Sequence, residues 1–189
     1  MGFAEFSPAF LDDLVARAEG APRRRQHHNV HSTLDEPVQR LFNAICVDSY
    51  IRPHRHCADP KRELLIAVRG RFALVAFDDA GRVSDCVPFG TSAQDGAGVE
   101  LDPGQWHTVI ALAAGSILFE VKQGPFQPAA AKEVSFWSPA EGSEAAVRYH
   151  DLLRAEVVKR FECRTYSADS PAASGSCLSM EGGSDTSRA

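Results

Sequence analysis

From residue 39 to residue 122 the chain is cut into short β-rich runs by Gly, Pro and Asp, and this punctuation limits the fold more than any other feature. Residues 63–77 read Glu-Leu-Leu-Ile-Ala-Val-Arg-Gly-Arg-Phe-Ala-Leu-Val-Ala-Phe, two strand-length runs with Gly70 marking a turn or bulge. Asp78-Asp79-Ala80-Gly81 is a hairpin turn signal, and Arg82 to Phe89 is the return strand. Leu41, Phe42, Ala44, Ile45 and Val47 mark an earlier strand; Val99 to Leu101, Thr108 to Ala113 and Ser116 to Lys122 continue the pattern. The expectation is an antiparallel sandwich or barrel, not an α/β fold.

A helix is expected on each side of this region. Over residues 7–19, Ser7 is the N-cap, Pro8 takes the first helical position and Gly20 offers a left-handed residue after the end. Phe10, Leu11, Leu14, Val15 and Ala18 form its apolar face. Over residues 143–162 the apolar stripe is Ala146, Tyr149, Leu152, Leu153, Val157 and Phe161. From about Ser167 the chain is Ser, Gly, Ala, Asp and Pro, too poor in apolar residues to pack, and a disordered tail is expected. The organisation is thus a helix and polar arm over 1–37, a barrel over 38–142, a helix over 143–163 and a tail over 164–189.

With 189 residues, 44% of them hydrophobic, the chain can bury one core. A net charge of −5 gives no general reason to bind nucleic acid or an anionic membrane, and Arg23-Arg24-Arg25 reads as a solvated loop. No run approaches the roughly 20 apolar residues of a membrane span. Met1 to Asp13 lacks a secretory signal, and the five cysteines show neither a CxxC pair nor a disulfide framework. A cytoplasmic protein is expected.

Two segments carry metal-ligand chemistry. The first is Pro53-His54-Arg55-His56, followed by Glu63 and Gly70; the second is Asp102-Pro103-Gly104-Gln105-Trp106-His107. Imidazoles at i and i+2 on a strand point to one face. Glu63 and His107, from neighbouring strands, close a mononuclear site with them. Imidazole and carboxylate ligands suit first-row divalent metals, and no cysteine cluster turns the choice towards a thiolate site.

This pattern resembles the two signature motifs of the cupin superfamily. His54, His56, Glu63 and Gly70 match the first; Gly96, Gly104 and His107 match the second, with Asp102 at its proline position and Ala111 where the family often has Asn. The loop Cys57 to Arg62 is longer than usual. Within the superfamily, Asn29-Val30-His31, Gln39-Arg40, Asp48 to His56, Gly104 to His107, Phe119 to Pro125 and Phe136 to Glu141 resemble the WbuC-type cupin-fold metalloproteins over residues 20 to 142. The resemblance implies a jelly-roll barrel and one divalent transition metal ion (Zn, Fe, Mn or Ni). It associates the chain with polysaccharide gene clusters, and it allows a homodimer.

Other residues have two readings each. The Arg25 to His31 segment either covers the barrel mouth or is an exposed polar loop. In the first case His28 or His31 is an acid/base near the metal, and Arg25 and Asn29 contact substrate. Tyr50 and Arg52 share the parity of the ligand pair, so a regular strand points them the same way, Tyr50 to move a proton and Arg52 to hold an anion; otherwise Arg52 makes an external ion pair. Glu120 and Lys122 alternate with Ile117, Phe119 and Val121, which predicts an exterior salt bridge. Trp106 is expected to pack, and Cys57 to stay off the metal. The functional expectation is a metal-dependent isomerase, epimerase or oxygenase acting on a small polar, sugar-derived molecule. The alternative is a non-catalytic saccharide-binding module stabilised by metal.

Overall fold

In a computed structural model of the chain, helix α1 spans Pro8–Gly20, and its Ser7 cap accepts a hydrogen bond from the Phe10 N–H. Residues 2–128 and 132–168 are described, the last seven as backbone only. Gly20 remains inside the helix instead of taking the expected left-handed position, and the chain leaves through Ala21 in extended conformation. Ten strands follow: β1 (Arg25–Asn29), β2 (Val38–Ile45), β3 (His54–Arg55), β4 (Glu63–Arg69), β5 (Arg71–Phe77), β6 (Val83–Gly90), β7 (Gly98–Leu101), β8 (Trp106–Ala111), β9 (Ser116–Gln123) and β10 (Glu133–Val134). Helix α2 is Glu144–Ala168; the expected tail beyond it lies outside the described residues.

The strands form two antiparallel five-stranded sheets, ordered β1-β2-β9-β4-β7 and β10-β3-β8-β5-β6. Strands β2 to β9 alone give the orders 2-9-4-7 and 3-8-5-6, the two interlocked Greek keys of a jelly roll. Strand β1, within the stretch read as a polar arm, adds to the edge of the first sheet, and β10 to the edge of the second. The turns at Gly70 and Gly81 fall where the sequence places them, both glycines with positive φ.

Apolar residues segregate into three clusters. Ile45, Leu65, Phe72, Leu74, Phe89, Leu101, Val109 and Leu118 fill the space between the sheets. Leu14 and Ala18 of α1 cover the outer face of the first sheet at Phe42, Ala44 and Ile117. Leu153 and Val157 of α2 cover the outer face of the second at Val75, Phe77, Trp106 and Ile110. Leu152, expected in the α2 stripe, is 72% exposed and lies off it.

Helix α1 also inverts the parity expected for β9. Ile117 and Phe119 face outward, because α1 and its neighbours bury that side. Leu118, Glu120 and Lys122 therefore face the barrel interior, and Glu120 and Lys122 line a cavity there instead of forming an exterior salt bridge.

Candidate metal centre

The interior is open at one end. A cavity of about 260 Å³ is bounded by His54, His56 and His107 on the second sheet and by Glu63, Glu120 and Lys122 on the first. His54 on β3 pairs directly with His107 on β8, and Glu63 opens β4 opposite Lys122 on β9. Ligand atoms of the three histidines all lie within 4.8 Å of one another. His56 Nε2 is 3.0 Å and His107 Nε2 3.5 Å from the two oxygens of Glu63. The sequence-expected quartet is thus gathered around one cavity, and the three histidines are able to hold a metal ion.

The hydrogen bonds behind the rings fix their orientation. His54 Nδ1 lies 3.0 Å from the Arg52 carbonyl and His107 Nδ1 2.9 Å from the Gln105 carbonyl. A carbonyl only accepts, so each Nδ1 carries a proton and each ring is left with Nε2 as its metal-ligating atom. Two atoms that both carry lone pairs repel, so His107 Nε2 and the Glu63 oxygen facing it need a proton or a metal ion between them. At His54 burial first, and the nearby His107 second, push the imidazole well below its ordinary range and favour the neutral ring that ligates metal. Three imidazole nitrogens of this disposition fit a first-row divalent ion.

Glu63 is 5% exposed. Burial works against its charge, but hydrogen bonds from His107 and His56 and the Lys122 ammonium outweigh that and hold it well below the usual carboxylate range. Lys122 lies 3.1 Å from Glu63 and 2.6 Å from Glu120. Burial alone would lower its pKa; the two carboxylates raise it instead, so it stays charged. Its role was hidden in the sequence by β9 parity; the available signal was Leu118, which shares its face and belongs to the interior cluster.

The other candidates separate. Arg25 lines the cavity, but its Nη2 donates to both Glu141 oxygens at 2.8 Å and its Nη1 to the Tyr50 carbonyl at 2.9 Å. Arg23 also binds Glu141, and Arg24 binds Asp48, so the triple-arginine run is a set of ion pairs instead of a free loop. His28 faces outward, its ring edge-on to Phe10 of α1 at 4.9 Å. His31 is buried, with Nδ1 against the Arg40 backbone, and borders a neighbouring chamber together with Asn29.

The parity argument for Tyr50 and Arg52 fails because β3 begins only at His54. Tyr50 donates to the Pro139 carbonyl and packs on Tyr149; Arg52 donates to Ser138 Oγ and the Ser135 carbonyl. Neither lines the histidine cavity. Trp106 packs, buried, with Arg55 over its ring, and Cys57 is exposed outside the histidine cluster.

Residues 6–88 match a family described as Domain of unknown function (DUF6016). No curated protein matches the chain significantly. Protein SO0799 from Shewanella oneidensis has a similar structure, with a TM-score of 0.51 at 10% identity over 65% of this chain and 82% of its own. The fold is a jelly-roll barrel. An uncharacterized protein from Klebsiella pneumoniae with a double-stranded β-helix domain gives 0.49 at 14% identity, covering 71% of this chain and 98% of its own. Oxalate decarboxylase from Bacillus subtilis gives 0.45 at 17%, covering 58% and 27%. At these identities likeness speaks to the fold alone. No helix among the described residues is long and apolar enough to cross a membrane.

Proposed function

We propose that this chain is a metal-dependent enzyme acting on a small, polar, negatively charged substrate. The observation that carries the reading is the gathering of His54, His56 and His107, their ligand atoms within 4.8 Å of one another, beside the buried carboxylate of Glu63. His54, His56 and His107, with Glu63, would hold one divalent ion, Zn, Fe, Mn or Ni. Such an ion supplies Lewis-acid polarisation of a bound oxygen, and this ligand set leaves coordination positions open to substrate.

The rest of the chemistry falls to the chain's own groups. Lys122 and Lys132 bring positive charge to the cavity and attract an anion. Glu120, 2.6 Å from Lys122 and facing the same cavity, is the group placed to take and return a proton. Leu65, Val109 and Leu118 close the floor against water. Proton removal and return beside a polarised oxygen is the chemistry of isomerisation or epimerisation; an iron ion would favour oxygenation. The resemblance of residues 20 to 142 to the WbuC-type proteins supports a sugar-derived substrate from polysaccharide synthesis, handled in the cytoplasm.

Incubating the metal-loaded protein with nucleotide sugars and sugar acids, and following the products by mass spectrometry and proton–deuterium exchange, tests the reading. Turnover or exchange that is lost in Glu120→Gln is expected. Binding without any chemical change would make the chain a metal-stabilised saccharide-binding module instead.

A further inference from the structure

The cavity at the histidines does not end at Lys122. A second chamber of about 370 Å³ adjoins it along the inner face of β1 and β2, and Asn43, Glu120, Lys122 and Phe126 line both. Strand register accounts for the continuity. His27 pairs with Asn43, which pairs with Leu118; Asn29 pairs with Leu41, which pairs with Glu120; Gln39 pairs with Lys122, which pairs with Glu63. Directly opposed residues present their side chains on one face, so polar groups run across the sheet from its β1 edge to the metal ligands.

The two chambers differ in charge. Arg23, Arg25, Lys122 and Lys132 line the histidine cavity with Glu63 and Glu120; Glu141 pairs with both arginines, and a net positive charge remains. In the second chamber the Asp, Glu, Lys and Arg residues reduce to Glu120 and Lys122, which neutralise each other. Among the described residues, no protein group engages the side-chain amides of Asn29 and Asn43. An amide both donates and accepts, as a hydroxyl does, so the two groups suit a hydroxylated ligand. Phe126 adds a half-buried aromatic face.

We infer that the second chamber binds the hydroxyl-rich ring of the substrate, while an acidic group on that ring, carboxylate or phosphate, reaches past Lys122 to the histidines. The substrate is then a sugar acid or a sugar phosphate, and Asn29, Asn43 and Phe126 set its specificity. Only the placement of the acidic group rests on the metal reading proposed above; ring binding needs no metal.

Calorimetric titration of the metal-loaded protein with glucuronate, glucose-6-phosphate, glucose and acetate tests this. At least one of the two acids is expected to bind more tightly than both glucose and acetate, and comparing the two separates carboxylate from phosphate. The variant Asn29→Ala, at a residue that lines the second chamber and not the histidine cavity, should weaken that acid about fivefold, the cost of a lost hydrogen bond. Acetate, which reaches only the histidines, should bind the variant as it binds the wild type, and metal content, which also reports folding, should not change. Equal binding of the acid by variant and wild type, acetate as tight as both glucuronate and glucose-6-phosphate, or no binding by either acid would overturn the inference. Glucose titrated into His107→Ala separates the two readings. If metal proves absent while glucose binding still depends on Asn29, the second chamber stands and the metal reading falls.

Discussion

Lys122 and Glu63 face each other across the β9–β4 pairing with 3.1 Å between Nζ and Oε1, so the carboxylate that completes the histidine cluster is also a partner of a buried ammonium. A metal ion held by the histidines and Glu63 would share that carboxylate with the lysine. Lys122→Met removes the competitor but leaves Glu63 and Glu120 without their counter-charge. In chelator, urea denaturation should show a loss of about 3 kcal/mol, the cost of breaking a buried pair from one side. Metal titration should show affinity raised roughly tenfold, because a nearby positive charge is gone. Unchanged stability together with weaker metal binding would mean that Lys122 does not share Glu63.

The turn between β4 and β5 depends on Gly70, which has φ of +76°. A Cβ there would meet the Ser116 Cα at 2.9 Å, backbone that cannot step aside, besides adopting a conformation disfavoured for side chains. Gly70→Ala is expected to cost more than about 1 kcal/mol in a thermal or urea melt, while metal stoichiometry in the folded fraction stays the same.

Glu141 ties the N-terminal arm to the segment before α2 through Arg23, Arg25 and the Arg52 N–H. Burial raises its pKa, but the Arg25 charge and these hydrogen bonds outweigh that and bring it below 4.5 in the folded protein. A folded value below the unfolded one contributes stability above the unfolded pKa and loses it as the pH falls through the folded value. The stability difference between wild type and Glu141→Gln should therefore be full near neutrality, about 1–3 kcal/mol, and shrink below the unfolded carboxyl pKa. A difference that grows on acidification would contradict this account.

How much the sequence disclosed depends on which face of each strand was tied to a partner. The pairing of His54 with His56 was legible from their i, i+2 spacing, and both line the cavity although β3 ends at Arg55. So were the hairpin at Gly81 and helix α1, whose cap and apolar stripe are local signals. Glu120 and Lys122 were misassigned because alternation identifies two faces without saying which one is inside. Here the outer face is also apolar, since α1 covers it at Phe42 and Ile117. His28 suffers from the same ambiguity, facing Phe10 of the helix. Tyr50 and Arg52 were assigned by a parity that requires a strand, and the chain is not one before His54. The partner of Arg23 and Arg25 is Glu141, 116 residues beyond Arg25, a distance no local pattern bridges.

The measurement that tests the central claim most directly is elemental analysis of protein purified without added metal, beside His54→Ala and His107→Ala variants shown by circular dichroism to be folded. The account predicts a stoichiometric divalent transition metal in the wild type and its loss from both variants. Wild-type protein without stoichiometric metal, or folded variants that both retain it, would contradict the account.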